Sequence, residues 1–199
     1  MLNIVALSSI PFAFTEFLFY PSYWEPKFLW NLVNLIGFGI EDIIFVIGLS
    51  AFSSSSFAVT FQKKLTPCSK GILNSNQILI SIFILYLITI FLFIKFKIHL
   101  IFGAPILMLG SGIFMILRRS DLLFPGIFGG LITMTVYSLL CFALLQIYPS
   151  IFELTWHTEK FLNTKIFHIP LEELIYAFSS GFIATLFYPY VFSFRYISF

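Results

Sequence analysis

The stretch HIPLEELIYAFSSG, residues 168–181, decides the class of fold, because it places adjacent carboxylates at the head of a long apolar run. A related stretch, GFGIEDIIFVIG, occupies residues 37–48 and has an acidic pair at the matching place. The 199-residue chain around them is 59% hydrophobic and only 10% charged, far more apolar than a soluble domain. This composition predicts an all-α, polytopic helical membrane protein. A closed β-barrel would need an alternation of apolar and polar residues that the sequence lacks.

The apolar runs predict about six transmembrane helices in a single transmembrane domain, because a helix needs about 20 apolar residues to cross the hydrocarbon core. The N-terminal run lacks a basic region and a small-residue cleavage site, so we interpret it as an uncleaved first span. A short turn, residues 95–99, separates the third span from the fourth. The predicted spans are residues 3–20, 39–61, 77–94, 100–117, 122–147 and 170–191.

An internal repeat relates the beginning of the chain to its end. FYPSYW at residues 19–24 recurs as IYPSIF at residues 147–152. Downstream, IEDIIF at residues 40–45 recurs as LEELIY at residues 171–176, with the order kept and the spacing nearly equal. The first two spans therefore correspond to the last two.

The repeat predicts two similar halves, residues 1–75 and 121–199, within the one domain spanning residues 1–199. With six spans, an even number of crossings separates the repeats, and both acidic pairs lie at the same membrane face. If residues 77–117 cross only once, the repeat is inverted and the pairs lie at opposite faces.

The acidic pairs admit two interpretations. Pro170 followed by two acids is typical of a helix start, where carboxylates face the positive end of the helix macrodipole. In this case the pairs only mark where two helices begin at the headgroup level. Alternatively the pairs are functional, because an uncompensated carboxyl group in hydrocarbon keeps its proton and then acts as a general acid toward an apolar substrate.

The functional interpretation predicts four catalytic residues, Glu41, Asp42, Glu172 and Glu173. Successive residues of an α-helix are about 100° apart around its axis, so one acid of each pair can face the interior of the helix bundle. The other acid then meets the membrane interface.

Four further side chains are candidates for substrate binding. Phe45 and Tyr176 each lie four residues after the first acid of a pair, on the same helical face. An aromatic ring there stabilises a developing carbocation by about 2 kcal/mol when desolvated. Glu16, a third acid in an apolar run, is either a second wall of the pocket or an anchor at the interface. His168 is either a proton relay or an interfacial hydrogen-bonding group.

The chain resembles the membrane-integral lycopene cyclase domain family, of the small bacterial, archaeal and fungal type. PLEE at residues 170–173 matches the P-x-E-E-like motif of that family. The first copy of the motif differs from it at Gly39 and Asp42. FYPSYWEP, residues 19–26, is similar to the segment that often precedes the first motif.

The resemblance implies a redox-neutral isomerisation in which an acid protonates the terminal double bond of an acyclic carotenoid. The tertiary cation then closes a six-membered ring, and a base removes a proton. Glu172 is the expected acid, with Glu173 or Glu41 as the base or a positioning residue. The implied setting is a bacterial or archaeal cytoplasmic membrane, with lipid and an apolar carotenoid as partners. No dinucleotide, phosphate or metal motif occurs, so no cofactor and no metal is predicted.

Other functions stay open on the sequence alone. A prenyltransferase would need paired D-x-x-x-D motifs, and the only aspartates are Asp42 and Asp121. A non-catalytic carotenoid-binding or assembly subunit of a heteromeric cyclase and a small proton-coupled transporter are the alternatives from other classes. Homo- and hetero-oligomers are both compatible with the sequence. A net charge of +2 gives no indication of a nucleic-acid partner.

Overall fold

A computed structural model of the protein describes residues 2–68, 75–97 and 99–198. Residues 69–74 of the predicted first half and residue 98 of the predicted turn lie outside these described residues. The described part is mostly helical, and the prediction of an all-α membrane protein is confirmed.

The described part of the chain contains eight α-helices and four short strands, together with short 3₁₀-helices. The helices are α1 (Leu2–Ser9), α2 (Leu32–Ile36), α3 (Ile40–Thr60), α4 (Ser75–Lys95), α5 (Leu100–Arg118), α6 (Leu123–Ile147), α7 (Ile151–Thr155) and α8 (Leu171–Val191). The strands are β1 (Lys63–Pro67), β2 (Lys165–Ile166), β3 (Ile169–Pro170) and β4 (Phe194–Ser198).

Four stretches of the described residues are long and apolar enough to cross a membrane: Ile40–Thr60, Ile101–Arg118, Ser120–Ile147 and Leu171–Val191. Shorter apolar helices, Asn3–Leu18 and Phe83–Lys95, lie where the first and third spans are predicted. The first of them changes from an α-helix to a 3₁₀-helix, Ile10–Leu18, next to Pro11. A proline has no backbone N–H to donate, so it favours this local tightening.

Helix α8 is the centre of the bundle and packs against α3, α5 and α6. Glycines let α6 and α8 approach closely, since a Cβ atom on Gly129 would lie 2.0 Å from Thr185 Oγ1. A Cβ atom on Gly181 would lie 2.4 Å from the Thr133 side chain in the same contact. Helix α3 approaches α8 from another side, where the Thr185 hydroxyl also donates to the Ser53 carbonyl over 3.0 Å. Helix α8 is the most buried of the four long helices, and it carries the acidic pair Glu172 and Glu173 in its first turn.

An antiparallel pair of strands, which the sequence did not predict, joins the two halves beyond the ends of α3 and α8. Strand β1 follows α3 and strand β4 follows α8, and Leu65 lies opposite Tyr196 at the middle of the pair. The Tyr196 ring contacts the Phe57 ring with centroids 5.0 Å apart, and its hydroxyl donates to the Thr185 carbonyl over 3.0 Å. These contacts pack the strand pair against the helix bundle.

The segments that precede α3 and α8 also meet each other. Trp24 and Trp156 form an isolated antiparallel β-bridge, while β2 and β3 form a short hairpin leading into α8. Because both helices begin near this bridge and both end near the β1–β4 pair, α3 and α8 run in the same direction. The two acidic pairs therefore lie at the same end of the bundle, as the six-span arrangement requires.

Candidate functional site

A pair of tryptophans marks the place where the two halves meet beside the acidic residues. The rings of Trp24 and Trp156 contact each other with centroids 5.3 Å apart. The Glu25 N–H donates to the Thr155 carbonyl over 2.8 Å, which holds the two segments together. These contacts therefore hold the segment that precedes α3 next to the segment that precedes α8.

The first acid of each pair makes the same contact in both halves. Glu41 Oε1 accepts the N–H of Leu29 over 2.6 Å, and Glu172 Oε1 accepts the N–H of Leu162 over 2.9 Å. In each carboxyl group the other oxygen is buried and has no hydrogen-bond partner among the described residues. A buried oxygen without a partner costs free energy, so both atoms are candidates for contact with a bound molecule.

The second acid of the first pair closes the start of its own helix. Asp42 Oδ2 accepts the N–H of Gly39 over 2.6 Å, which satisfies a donor that a helix start otherwise leaves free. Gly39 is also required by space, because a Cβ atom there would lie 2.4 Å from the Phe28 ring and 2.6 Å from Glu41 Oε2. The departure from the P-x-E-E motif at these two positions therefore has a local structural reason.

The second acid of the other pair has a different environment. Pro170, at the position of Gly39, has no N–H to cap, so Glu173 is available for other contacts. Three donors converge on it: Tyr23 Oη and Trp156 Nε1 bind Oε1 over 2.9 Å each, and Tyr137 Oη binds Oε2 over 2.5 Å. The three donors fix the orientation of this carboxyl group, and one of them comes from the first half of the chain.

Both acids at the start of α8 are buried. Glu172 is 3% exposed and Glu173 is 8% exposed, and no ion pair joins either of them to a cationic side chain of the described residues. Burial, and then the negative charge of Glu173, raises the pKa of Tyr23, which lies outside the spans. Tyr23 therefore stays a hydrogen-bond donor at neutral pH.

The structure places the other predicted residues in two groups. Tyr176 is half-buried on α8, one turn after Glu172 and Glu173, and the charges of Glu173 and Glu16 act on it. Phe45 is 44% exposed on the outer surface of α3. His168 is exposed, and it acts electrostatically on Glu153 of α7. The site thus has Tyr176 and Glu16 near the acids, whereas Phe45 and His168 lie at the surface.

Glu16 is as deeply buried as the acids of α8. It is 8% exposed, lies on the 3₁₀ segment that packs against α3, and interacts with the Trp24 indole. Its Oε1 is buried and has no hydrogen-bond partner within the described part of the chain. The first half of the chain therefore adds a third carboxyl group to the region.

Sequence reasoning missed three residues of this site, Tyr23, Tyr137 and Trp156. Tyr137 has a hydroxyl group within an apolar span. The free-energy cost of burying a polar group in hydrocarbon could have indicated this residue. Tyr23 and Trp156 were signalled only by their places near the repeated segments. No three His, Cys, Asp or Glu side chains in the described ranges are grouped as metal ligands.

The arrangement suits proton transfer to an apolar molecule. Glu172 offers one oxygen without a partner, and the neighbouring carboxylate is held by three donors at the same helix start. The two neighbouring acids of α8 therefore have different hydrogen-bond environments, one with a free oxygen and one with both oxygens occupied.

Comparison with known proteins gives one match. A family model described as lycopene cyclase matches residues 102–191, which include α6, α7 and α8 and almost all of α5. No curated protein and no solved structure matches the chain. The matched segment contains Tyr137, Trp156, Glu172 and Glu173, and the match supports a carotenoid cyclase function and a membrane enzyme. Residues 102–191 of this chain, with the acids of α8 among them, are therefore similar to the lycopene cyclase family.

Proposed function

We propose that the protein closes a ring at an acyclic carotenoid end group of the lycopene type by redox-neutral acid catalysis. The observation that carries the proposal is the buried, unpartnered oxygen of Glu172 beside a carboxylate with three donors. The family match covers this pair of acids. The substrate would enter from the surrounding lipid of a bacterial or archaeal cytoplasmic membrane, and the enzyme would be an isomerase of the intramolecular lyase type.

The reaction begins with a proton that leaves the Glu172 carboxyl group and bonds to the less substituted carbon of the terminal double bond. This step breaks the O–H bond, forms a C–H bond and leaves a tertiary carbocation. The π electrons of a neighbouring double bond then form the new C–C bond of a six-membered ring. A carboxylate removes a proton from the carbon beside the new cation, and the electrons of that C–H bond become the ring double bond. The product is an isomer of the substrate.

The two acids of α8 have distinct roles in this scheme. Glu172 accepts one backbone N–H and has one oxygen free to hold a proton toward the substrate. Glu173, oriented by three donors, would stabilise the carbocation through its carboxylate. Tyr23 and Tyr137 act through Glu173 and are positioning residues. Glu41, whose Oε2 is also unpartnered, and Glu173 are the acceptors expected from the acidic pairs.

Expression in a bacterial host that accumulates lycopene tests the proposal. Glu172→Gln keeps an oxygen that can accept the Leu162 N–H, but it has no acidic proton. We expect cyclic product from the unmodified protein and at least about a 100-fold loss in the variant, because general acid catalysis contributes at least this factor. Glu153→Gln, at an exposed carboxylate bound to Lys165, is the matched control and should keep full activity.

The outcomes distinguish the assigned acid from the assigned activity. Cyclic product at the normal level from the Glu172→Gln strain removes Glu172 as the proton donor but leaves the cyclase activity. Absence of product from an intact, membrane-inserted wild-type protein contradicts the activity itself.

A non-catalytic carotenoid-binding or assembly subunit is the second candidate. The observation that favours it is the use of Asp42 to cap its own helix, which leaves the first half without an equivalent of Glu173. For this role we expect lycopene to co-purify with the protein unchanged. Cyclic product from the chain expressed alone would exclude it.

A further inference from the structure

We propose that the outer face of the β1–β4 strand pair binds the headgroups of anionic phospholipids in the membrane around the protein. This surface, which we call the basic face, consists of Lys64, Thr66, Arg195 and Ile197. It lies at the opposite end of the bundle from the acidic pairs. The inference is therefore independent of the ring-closing reaction, and it assigns a binding site to residues that the proposed function does not use.

The strand pair lies at the level of the lipid headgroups. Helices α3 and α8 have 21 residues each, which corresponds to about 30 Å, the thickness of the hydrocarbon core. Strand β1 begins at Lys63, just after α3 ends at Thr60. Strand β4 begins at Phe194, just after α8 ends at Val191. Because both helices begin at one membrane interface, they bring the two strands to the other interface.

Alternation along the strands separates a face that packs on the bundle from a face that points away from it. The Tyr196 ring contacts the Phe57 ring with centroids 5.0 Å apart, so Tyr196 belongs to the packed face. Phe194 belongs to the same face, because its ring contacts the Tyr188 ring with centroids 5.3 Å apart. Arg195, which lies between them in sequence, therefore points away from the bundle, and it is exposed.

The register of the strands places two cations close together on the basic face. Arg195 lies opposite Thr66 of β1. Lys64, two residues before Thr66, lies opposite Ile197 and is also exposed. Lys64 and Arg195 are therefore diagonal neighbours, whose Cβ atoms are about 7 Å apart in an antiparallel pair. Their long side chains can both reach the oxygens of one phosphate group from this spacing.

The charge around the basic face is also positive. The turn from α5 to α6 lies at the same end of the bundle, because Arg119 Nη1 donates to the Pro189 carbonyl near the end of α8 over 2.8 Å. Arg119 also binds Asp121 over 2.6 Å, and the neighbouring Arg118 is exposed. Among the described residues, Asp121 is the acidic side chain at this end, so cations outnumber anions there. Charge complementarity therefore favours anionic headgroups over zwitterionic ones.

Native mass spectrometry of the purified full chain in detergent tests the binding. Phosphatidylglycerol is the anionic probe, and phosphatidylcholine with the same acyl chains is the zwitterionic comparison. We expect the protein to bind phosphatidylglycerol in preference to phosphatidylcholine. The double variant Lys64→Gln with Arg195→Gln should bind phosphatidylglycerol about 30-fold more weakly, because each basic residue near an anionic surface contributes about fivefold. A higher salt concentration should also weaken the binding to the wild-type protein.

Two control variants separate this site from a general effect of charge or of folding. Lys64→Arg with Arg195→Lys keeps both charges and should keep the wild-type affinity. Lys95→Gln with Lys160→Gln removes two exposed cations from the opposite end of the bundle and should leave the affinity unchanged. Equal binding of the two lipids by the wild-type protein overturns the proposal. Equal losses of affinity in the two glutamine variants overturn it as well, because the effect would then not depend on the basic face.

Discussion

Replacement of Tyr137 by phenylalanine removes one of the three donors that hold Glu173. The ring keeps its place against the core, and only the hydroxyl that donates to Glu173 Oε2 is lost. A hydrogen bond to a charged group contributes about 1.5–3 kcal/mol, so the carboxylate should become less stable by this amount. If this hydrogen bond keeps the carboxylate in the position that stabilises the transition state, its loss corresponds to about a 10- to 100-fold slower reaction.

The assay is the initial rate of cyclic product formation by purified protein in liposomes loaded with lycopene. Tyr148→Phe is the matched control, because Tyr148 follows the same helix but is 59% exposed and makes no hydroxyl contact with the site. We expect the control to retain the wild-type rate. A Tyr137→Phe rate within about twofold of the wild-type rate would refute the reasoning, because a twofold loss is much smaller than the expected loss.

A double-mutant cycle separates a role through Glu173 from a general effect on packing. In a Glu173→Gln background, Tyr137→Phe should slow the reaction much less than in the wild-type background, because the charge that the hydroxyl stabilises is already absent. Equal effects in both backgrounds would mean that Tyr137 acts independently of Glu173.

Two predictions concern stability and are measured by thermal unfolding of the protein in detergent. Asp42→Ala removes the cap on the Gly39 N–H and should cost about 1 kcal/mol, whereas Asp42→Asn should keep most of the stability; equal losses would mean that the cap is not the cause. Gly129→Ala should cost about 1–3 kcal/mol, because its Cβ atom would lie 2.0 Å from Thr185 Oγ1. Gly110→Ala, with nothing within 4 Å of the added atom, should be tolerated, and similar losses at both glycines would contradict the close packing of α6 on α8.

The apolar runs were sufficient to predict the long helices. Hydrophobic runs long enough to span lipid must satisfy their backbone groups internally, so α3, α5, α6 and α8 begin and end close to the predicted bounds. The cost of a carboxyl group in hydrocarbon also singled out Glu16 and the two acidic pairs, because it depends on composition alone. The family resemblance, based on the motif at residues 170–173, is confirmed over residues 102–191.

The strand pair and the donors around Glu173 were decided by the tertiary structure. Strands β1 and β4 are far apart in sequence, and each is too short to indicate its partner by a local pattern. Tyr23, Tyr137 and Trp156 converge on one carboxylate only after separate segments pack together.

The sequence by itself therefore determined a helical membrane protein with two related acidic pairs, because hydropathy and the cost of buried charge act through each residue's own chemistry. It also showed that Pro170 lacks the N–H that Gly39 has. Only the tertiary structure decided how this difference affects the second acid of each pair. Asp42 accepts the N–H at its own helix start, whereas Glu173 accepts hydrogen bonds from three other segments. The difference between the two halves depends on which groups lie within hydrogen-bonding distance, and distance across a fold is a property of packing.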